Sequence, residues 1–164
     1  RCVGLLALRQ PLATDLRFIT AALKISNDLE RVGDHAVNIA GSVVRLLACG
    51  VSARAADLPH MADLAAGMLR EALDAFVRRD APAARRLCTR DDAVDALNRS
   101  LSREQLAEMH REPEAIDCAL ELILVGRNLE RVADLATNIA EEVVFIAEAR
   151  IIKHHAEEDA GPRQ

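Results

Sequence analysis

Leu29-Glu30-Arg31-Val32-Gly33-Asp34-His35-Ala36-Val37-Asn38-Ile39-Ala40 recurs 100 residues further on as Leu129-Glu130-Arg131-Val132-Ala133-Asp134-Leu135-Ala136-Thr137-Asn138-Ile139-Ala140, with nine of twelve positions identical. The chain therefore carries two copies of one unit. Around the second copy, Leu122, Val125, Leu129, Val132, Ala136, Ile139, Val143 and Ile146 alternate three and four apart, the apolar seam of a helix in a bundle. Ala22, Ile25, Leu29, Val32, Ala36, Ile39, Val43 and Leu46 repeat it. The seam accounts for four of the nine identities. Glu30, Arg31, Asp34 and Asn38, and their counterparts Glu130, Arg131, Asp134 and Asn138, lie off it, where a bundle accepts almost any polar residue.

Outward from the repeats, proline punctuates long apolar periodicities. Residues 1–9 read as the last turns of an apolar helix stopped by Gln10-Pro11, and with no initiator Met the chain reads as a fragment. One long helix is expected from Leu12 to about Ala48. A polar connection leads to Leu58-Pro59, and a second helix runs from Pro59 to Arg79. Asp80-Ala81-Pro82 breaks it, suiting a cap and first turn. A third helix is expected from Ala83 to His110, a fourth from Pro113 to Arg150, and then a polar tail. The implied organisation is a partial first unit over residues 1–50, a connection over 51–58, a complete three-helix unit over 59–150 and a tail over 151–164.

Composition agrees with an all-α architecture. Of 164 residues, 51% are apolar, yet the only aromatics are three Phe, which suits helices packed through Ala and Leu rather than a β-sandwich or barrel. A net charge of −5 with no Trp or Tyr gives neither a basic footprint nor a stacking platform, so nucleic acid is excluded as the expected partner. Cys2, Cys49, Cys88 and Cys118 show no zinc spacing and read as thiols of a reducing, cytoplasmic compartment. No apolar run approaches a transmembrane span, and the start does not resemble a signal peptide.

The off-seam residues suggest chemistry. Glu and Asp four apart share a helix face and repel unless a cation sits between them. Asp91 and Asp95 have the same spacing in the third helix. Counted from the turn at Glu112, Asp95 lies 17 residues away and Glu130 18, while Asp91 and Asp134 lie 21 and 22 away. At about 1.5 Å per residue the two acidic pairs reach similar heights on antiparallel neighbours. Four converging carboxylates suit a hard divalent or trivalent cation such as Mg²⁺, Mn²⁺ or iron. Partners for Glu30 and Asp34 would lie before residue 1. The plainer alternative is an ion-paired solvent face built on Arg31 and Arg131. His35 has no counterpart in the second copy and reads as incidental.

The sequence resembles the PhoU family of phosphate-signalling regulators. The resemblance rests on residues 6–17, Leu23-Lys24-Ile25, Asp28 to Ala40, the second copy, and Arg90-Asp91-Asp92-Ala93-Val94-Asp95. It implies tandem PhoU-like three-helix bundles, the N-terminal one incomplete here, with surface acidic motifs that hold metal (iron, Mn, Mg or Zn) and frequent homodimerisation. It further implies a cytoplasmic regulator without catalysis. Such a regulator couples the phosphate ABC transporter ATPase to a sensor histidine kinase and represses phosphate-starvation genes when phosphate is plentiful. Glu30, Asp34, Asp91, Asp95, Glu130 and Asp134 are then the metal-binding candidates, and Arg31, Asn38, Arg131 and Asn138 a motif surface for binding. A di-iron carboxylate enzyme would need Glu-x-x-His, but Gly33 and Ala133 stand at those positions. A phosphotransfer bundle would rest on His35 alone, and a purely structural bundle leaves the off-seam repeat unexplained.

Overall fold

The computed structural model describes residues 2–48, 57–150 and 152; the expected connection over 51–58 and the polar tail lie largely outside them. Among the described residues six α-helices follow one another: α1 (Cys2–Arg9), α2 (Ala13–Ala48), α3 (Leu58–Arg78), α4 (Ala81–Leu87), α5 (Asp91–Arg111) and α6 (Ile116–Glu148), the last entered through a short 3₁₀ turn at Pro113–Ala115. Among the described residues there is no strand. The central element is α6, against which α2, α3, α4 and α5 all pack. Its entire predicted seam, Leu122 to Ile146, is buried.

Local chemistry explains the breaks. Arg79 closes α3 in the left-handed region, and the Asp80 N–H donates to the Ala75 carbonyl at 2.9 Å. Asp80 Oδ1 then accepts the Ala83 N–H at 2.9 Å and caps α4, with Pro82 in its first turn, as the sequence suggests. The single third helix expected from Ala83 to His110 is, however, two helices. The Thr89 hydroxyl donates to the Arg86 carbonyl at 3.0 Å, the acceptor that the Arg90 N–H would need to continue the helix. The Arg90 N–H bonds Leu87 instead, and the helix restarts at Asp91 with two acids in its first turn.

Long helix α2 lies antiparallel on α6. Arg17 donates to the Ile146 carbonyl, Lys24 pairs with Glu142 at 2.6 Å, His35 bonds Asn128 at 2.9 Å, and Arg45 forks onto Glu121. A stacked pair, Phe18 on Phe76, ties the start of α2 to α3. Among the buried and half-buried positions of α2 are Phe18, Ala21, Ile25, Asp28, Val32, His35, Ile39, Ser42 and Leu46. Three of the eight expected seam positions are thus replaced by a polar series, Asp28, His35 and Ser42. Leu29, Ala36 and Val43 are left exposed.

Comparison of the two copies shows what that outer face is. Leu129, Val143 and Val144 are 7%, 1% and 0% exposed, whereas Leu29, Val43 and Val44 are 38%, 42% and 66% exposed. Small residues stand between them in both copies: Gly33, Ala36 and Ala40 against Ala133, Ala136 and Ala140. This contiguous apolar face drives association in water. The chain as given is expected to self-associate in light scattering and to shed that tendency in a Leu29→Gln/Val43→Thr/Val44→Thr variant; a monodisperse monomer of the unmodified chain would refute this.

Cysteine chemistry departs from expectation at one residue. Cys2 and Cys88 are free, but Cys118 is disulfide-bonded. Sequence spacing sets no limit on approach once helices fold back, so the argument from four thiols to a reducing compartment loses that support. Cys88 is buried, and burial together with Glu141 and Asp91 pushes its thiol up to about 11. It is a poor nucleophile.

Candidate functional site

Helices α5 and α6 approach closely because Gly126 faces Asn98 and Leu101, where a side chain would collide. This approach fixes the height match. Buried Asn98 donates from Nδ2 to Glu130 Oε2 at 2.6 Å, and that bond aims its own Oδ1 at the helix surface around Gly126, with no hydrogen-bond partner. Burial, then Asp95, then Asp134 raise the Glu130 carboxyl above the ordinary glutamate range. Asp95 and Asp134 are therefore both within electrostatic reach of Glu130.

Asp91 is differently placed. As the first residue of α5 it is buried, its Oδ1 accepts the Asp92 N–H at 3.1 Å, and its charge acts on Cys88. The basic neighbours give the ion-paired reading its share. Arg131 bonds Asp134 at 3.1 Å and Arg99 lies 3.7 Å from Asp95. Among the described residues, no group of three or more His, Cys, Asp or Glu is gathered tightly enough to hold a metal ion as the side chains stand. The carboxylates suit a hard cation in kind, and a cation would have to displace Asn98, Arg99 and Arg131 from them.

In the first copy the repeat is asymmetric. Glu30 and Asp34 lie exposed on α2, and Arg31 turns back to Asp28 at 3.5 Å rather than forward to Asp34. Asn138 is exposed beside a groove between α2 and α6 lined by Lys24, Asn27, Asp28, Glu141 and Glu142. Burial first, and Glu142 after it, raise the Asp28 carboxyl, while Arg31 opposes them. Asn38 reaches from α2 to α6, where its Nδ2 donates to Asn128 Oδ1 at 3.5 Å.

Sequence reasoning missed His35 and Asn128. The Asn128 Nδ2 donates to the Leu124 carbonyl at 2.7 Å, so its Oδ1 is left to accept from the His35 Nδ1–H. His35 is a docking residue of the α2–α6 interface. A lone His opposite an Asn could have been found only by laying the two copies antiparallel, which the repeat itself suggested.

The PhoU domain family matches residues 1–43 and 58–143. The chain belongs to the PhoU family. Among curated relatives, it is 38% identical over 148 residues to the phosphate-specific transport system accessory protein PhoU homolog of Rhizobium meliloti, covering 90% of this chain and 62% of that protein. Against the Caulobacter vibrioides homolog of the same name, identity is 43% over 142 residues, covering 86% and 62%. The crystal structure of PhoU from Pseudomonas aeruginosa superposes with a TM-score of 0.87 at 39% identity, covering 91% of this chain and 72% of that one. That of the phosphate transport system regulatory protein PhoU from Streptococcus pneumoniae gives 0.84 at 32% identity, covering 93% and 71%. The chain spans about 60% of the length of the curated PhoU relatives it matches.

Proposed function

We propose that this chain is part of an accessory regulator of phosphate uptake. It acts in the cytoplasm as a homodimer, without catalysis, between the phosphate ABC transporter ATPase and a sensor histidine kinase, and represses phosphate-starvation genes when phosphate is plentiful. The observation that carries the reading is the match of both repeats to one family whose relatives are named as accessory proteins of phosphate-specific transport. No described helix is long and apolar enough to cross a membrane, so contact with a transporter would be made through docking.

In this reading a divalent or trivalent cation (iron, Mn, Mg or Zn) binds at Glu130, Asp134 and Asp95, with Asp91 at the edge, and a second at Glu30 and Asp34. Its support is the mutual repulsion at Glu130. Arg31, Asn38, Arg131 and Asn138 flank these acids on the same helices and form the surface that partners would read.

The test uses the full-length protein in its own cell. Deleting its gene is expected to leave phosphate-starvation genes switched on in high phosphate, and the purified protein is expected to retain the transporter ATPase and the kinase on affinity resin. Unchanged expression together with no retention of either partner would overturn the proposal.

A further inference from the structure

Residues 70–90 hold six arginines against three acids, in a chain whose net charge is −5. Where α3 turns into α4 and α4 into α5, a groove of about 360 Å³ is lined by Arg78, Arg86 and Arg90 together with Glu71, Asp74 and Asp80. Three elements each contribute one guanidinium: Arg78 from the last turn of α3, Arg86 from α4, and Arg90 from the junction that the Thr89 break creates.

The acids of the groove are mostly engaged. Glu71 holds Arg90 at 2.5 Å, and Asp80 caps the Ala83 N–H. Neighbouring arginines are also occupied: Arg85 pairs with Glu148, and Arg79 lies 4.9 Å from the centre of the Phe18 ring. Among the described residues, Arg78 and Arg86 have neither an ion pair nor a side-chain hydrogen bond, and Asp74 is the one carboxylate there without a bond.

We infer that this corner binds a phosphoryl-type oxyanion, free or carried on a partner's side chain, between Arg78 and Arg86 with Arg90 at the rim. Planar guanidinium forks match such an oxyanion with paired N–H donors, which a plain surface ion pair would already have consumed. Asp74 opposes the anion and limits its affinity. The site is separate from the acidic pairs of α5 and α6 and does not depend on the regulatory reading above.

The chain is titrated at constant ionic strength with inorganic phosphate and, separately, with a phosphoserine peptide, while the arginine Nε–H signals of ¹⁵N-labelled protein are followed. Saturable shifts at Arg78 and Arg86 are expected with one probe or both. Shifts with phosphate identify the free ion as sufficient, and shifts with the peptide alone identify a carried phosphoryl group. Arg78→Gln/Arg86→Gln, at exposed positions, is expected to weaken binding about tenfold or more, and Asp74→Asn to tighten it. No saturable shift with either probe, or equal affinity in the double variant, overturns the inference.

Discussion

Gly126→Val is expected to lower the stability of this chain by about 3 kcal/mol, read as an earlier urea midpoint at unchanged slope. A Cβ at this position would stand 2.7 Å from Leu101 Cδ2 and 2.8 Å from Asn98 Oδ1. Leu101 is buried and has little room to turn. Asn98 cannot swing aside without giving up its charge-assisted bond to Glu130. The helix can relieve the collision only by moving α5 off α6, which opens the core on both sides of the contact. Better helix propensity of Val over Gly returns only a few tenths of a kcal/mol. Gly33 supplies the contrast, because nothing lies within 4 Å of its Cβ position; Gly33→Ala is expected to stabilise by about 1 kcal/mol. If Gly126→Val unfolds at the wild-type midpoint, α5 and α6 do not meet there.

What could be read in the sequence was whatever periodicity and punctuation encode. The repeat gave α2 and α6, Asp80-Ala81-Pro82 gave the α3–α4 turn, and counting from Glu112 brought Asp95 and Glu130 within electrostatic reach. The break after Leu87 was hidden because it depends on one hydroxyl, that of Thr89, taking a carbonyl from the main chain. No apolar period records such a competition. The side of α2 that packs on α6 was hidden for a different reason. Ile25, Val32, Ile39 and Leu46 belong to two overlapping seams, and hydrophobicity favours the one completed by Leu29, Ala36 and Val43. The partner helix decides otherwise, because Glu142, Asn128 and Glu121 on α6 offer bonds to Lys24, His35 and Arg45 along the polar seam. Asn98 was invisible in the candidate site because its role arises from Gly126 on another helix.

Glu130→Ala/Asp134→Ala is expected to weaken Mn²⁺ or Fe²⁺ binding at the second-copy site by about 100-fold, measured by metal titration with elemental analysis. The proposed cation would act on charges already present. Burial, Asp95 and Asp134 hold the Glu130 carboxyl above its ordinary range, so between that range and the raised value the folded chain binds more protons than the unfolded one. Stability contributed by this group is therefore complete at lower pH and is lost as pH rises through that window, the reverse of an ion-paired carboxylate. In the proposed metal-bound form a cation would replace the missing proton at neutral pH: added cation is expected to raise the unfolding temperature, with an affinity that falls as acidification returns the proton. Glu130→Gln separates these effects, since its side-chain carbonyl still accepts from Asn98 Nδ2 while the charge is gone. The metal-free variant is expected to be more stable than wild type at neutral pH and to gain less from added cation. Equal gains in wild type and Glu130→Gln, or unchanged affinity and stoichiometry in Glu130→Ala/Asp134→Ala, would remove Glu130 from the metal site and leave an ion-paired surface in its place.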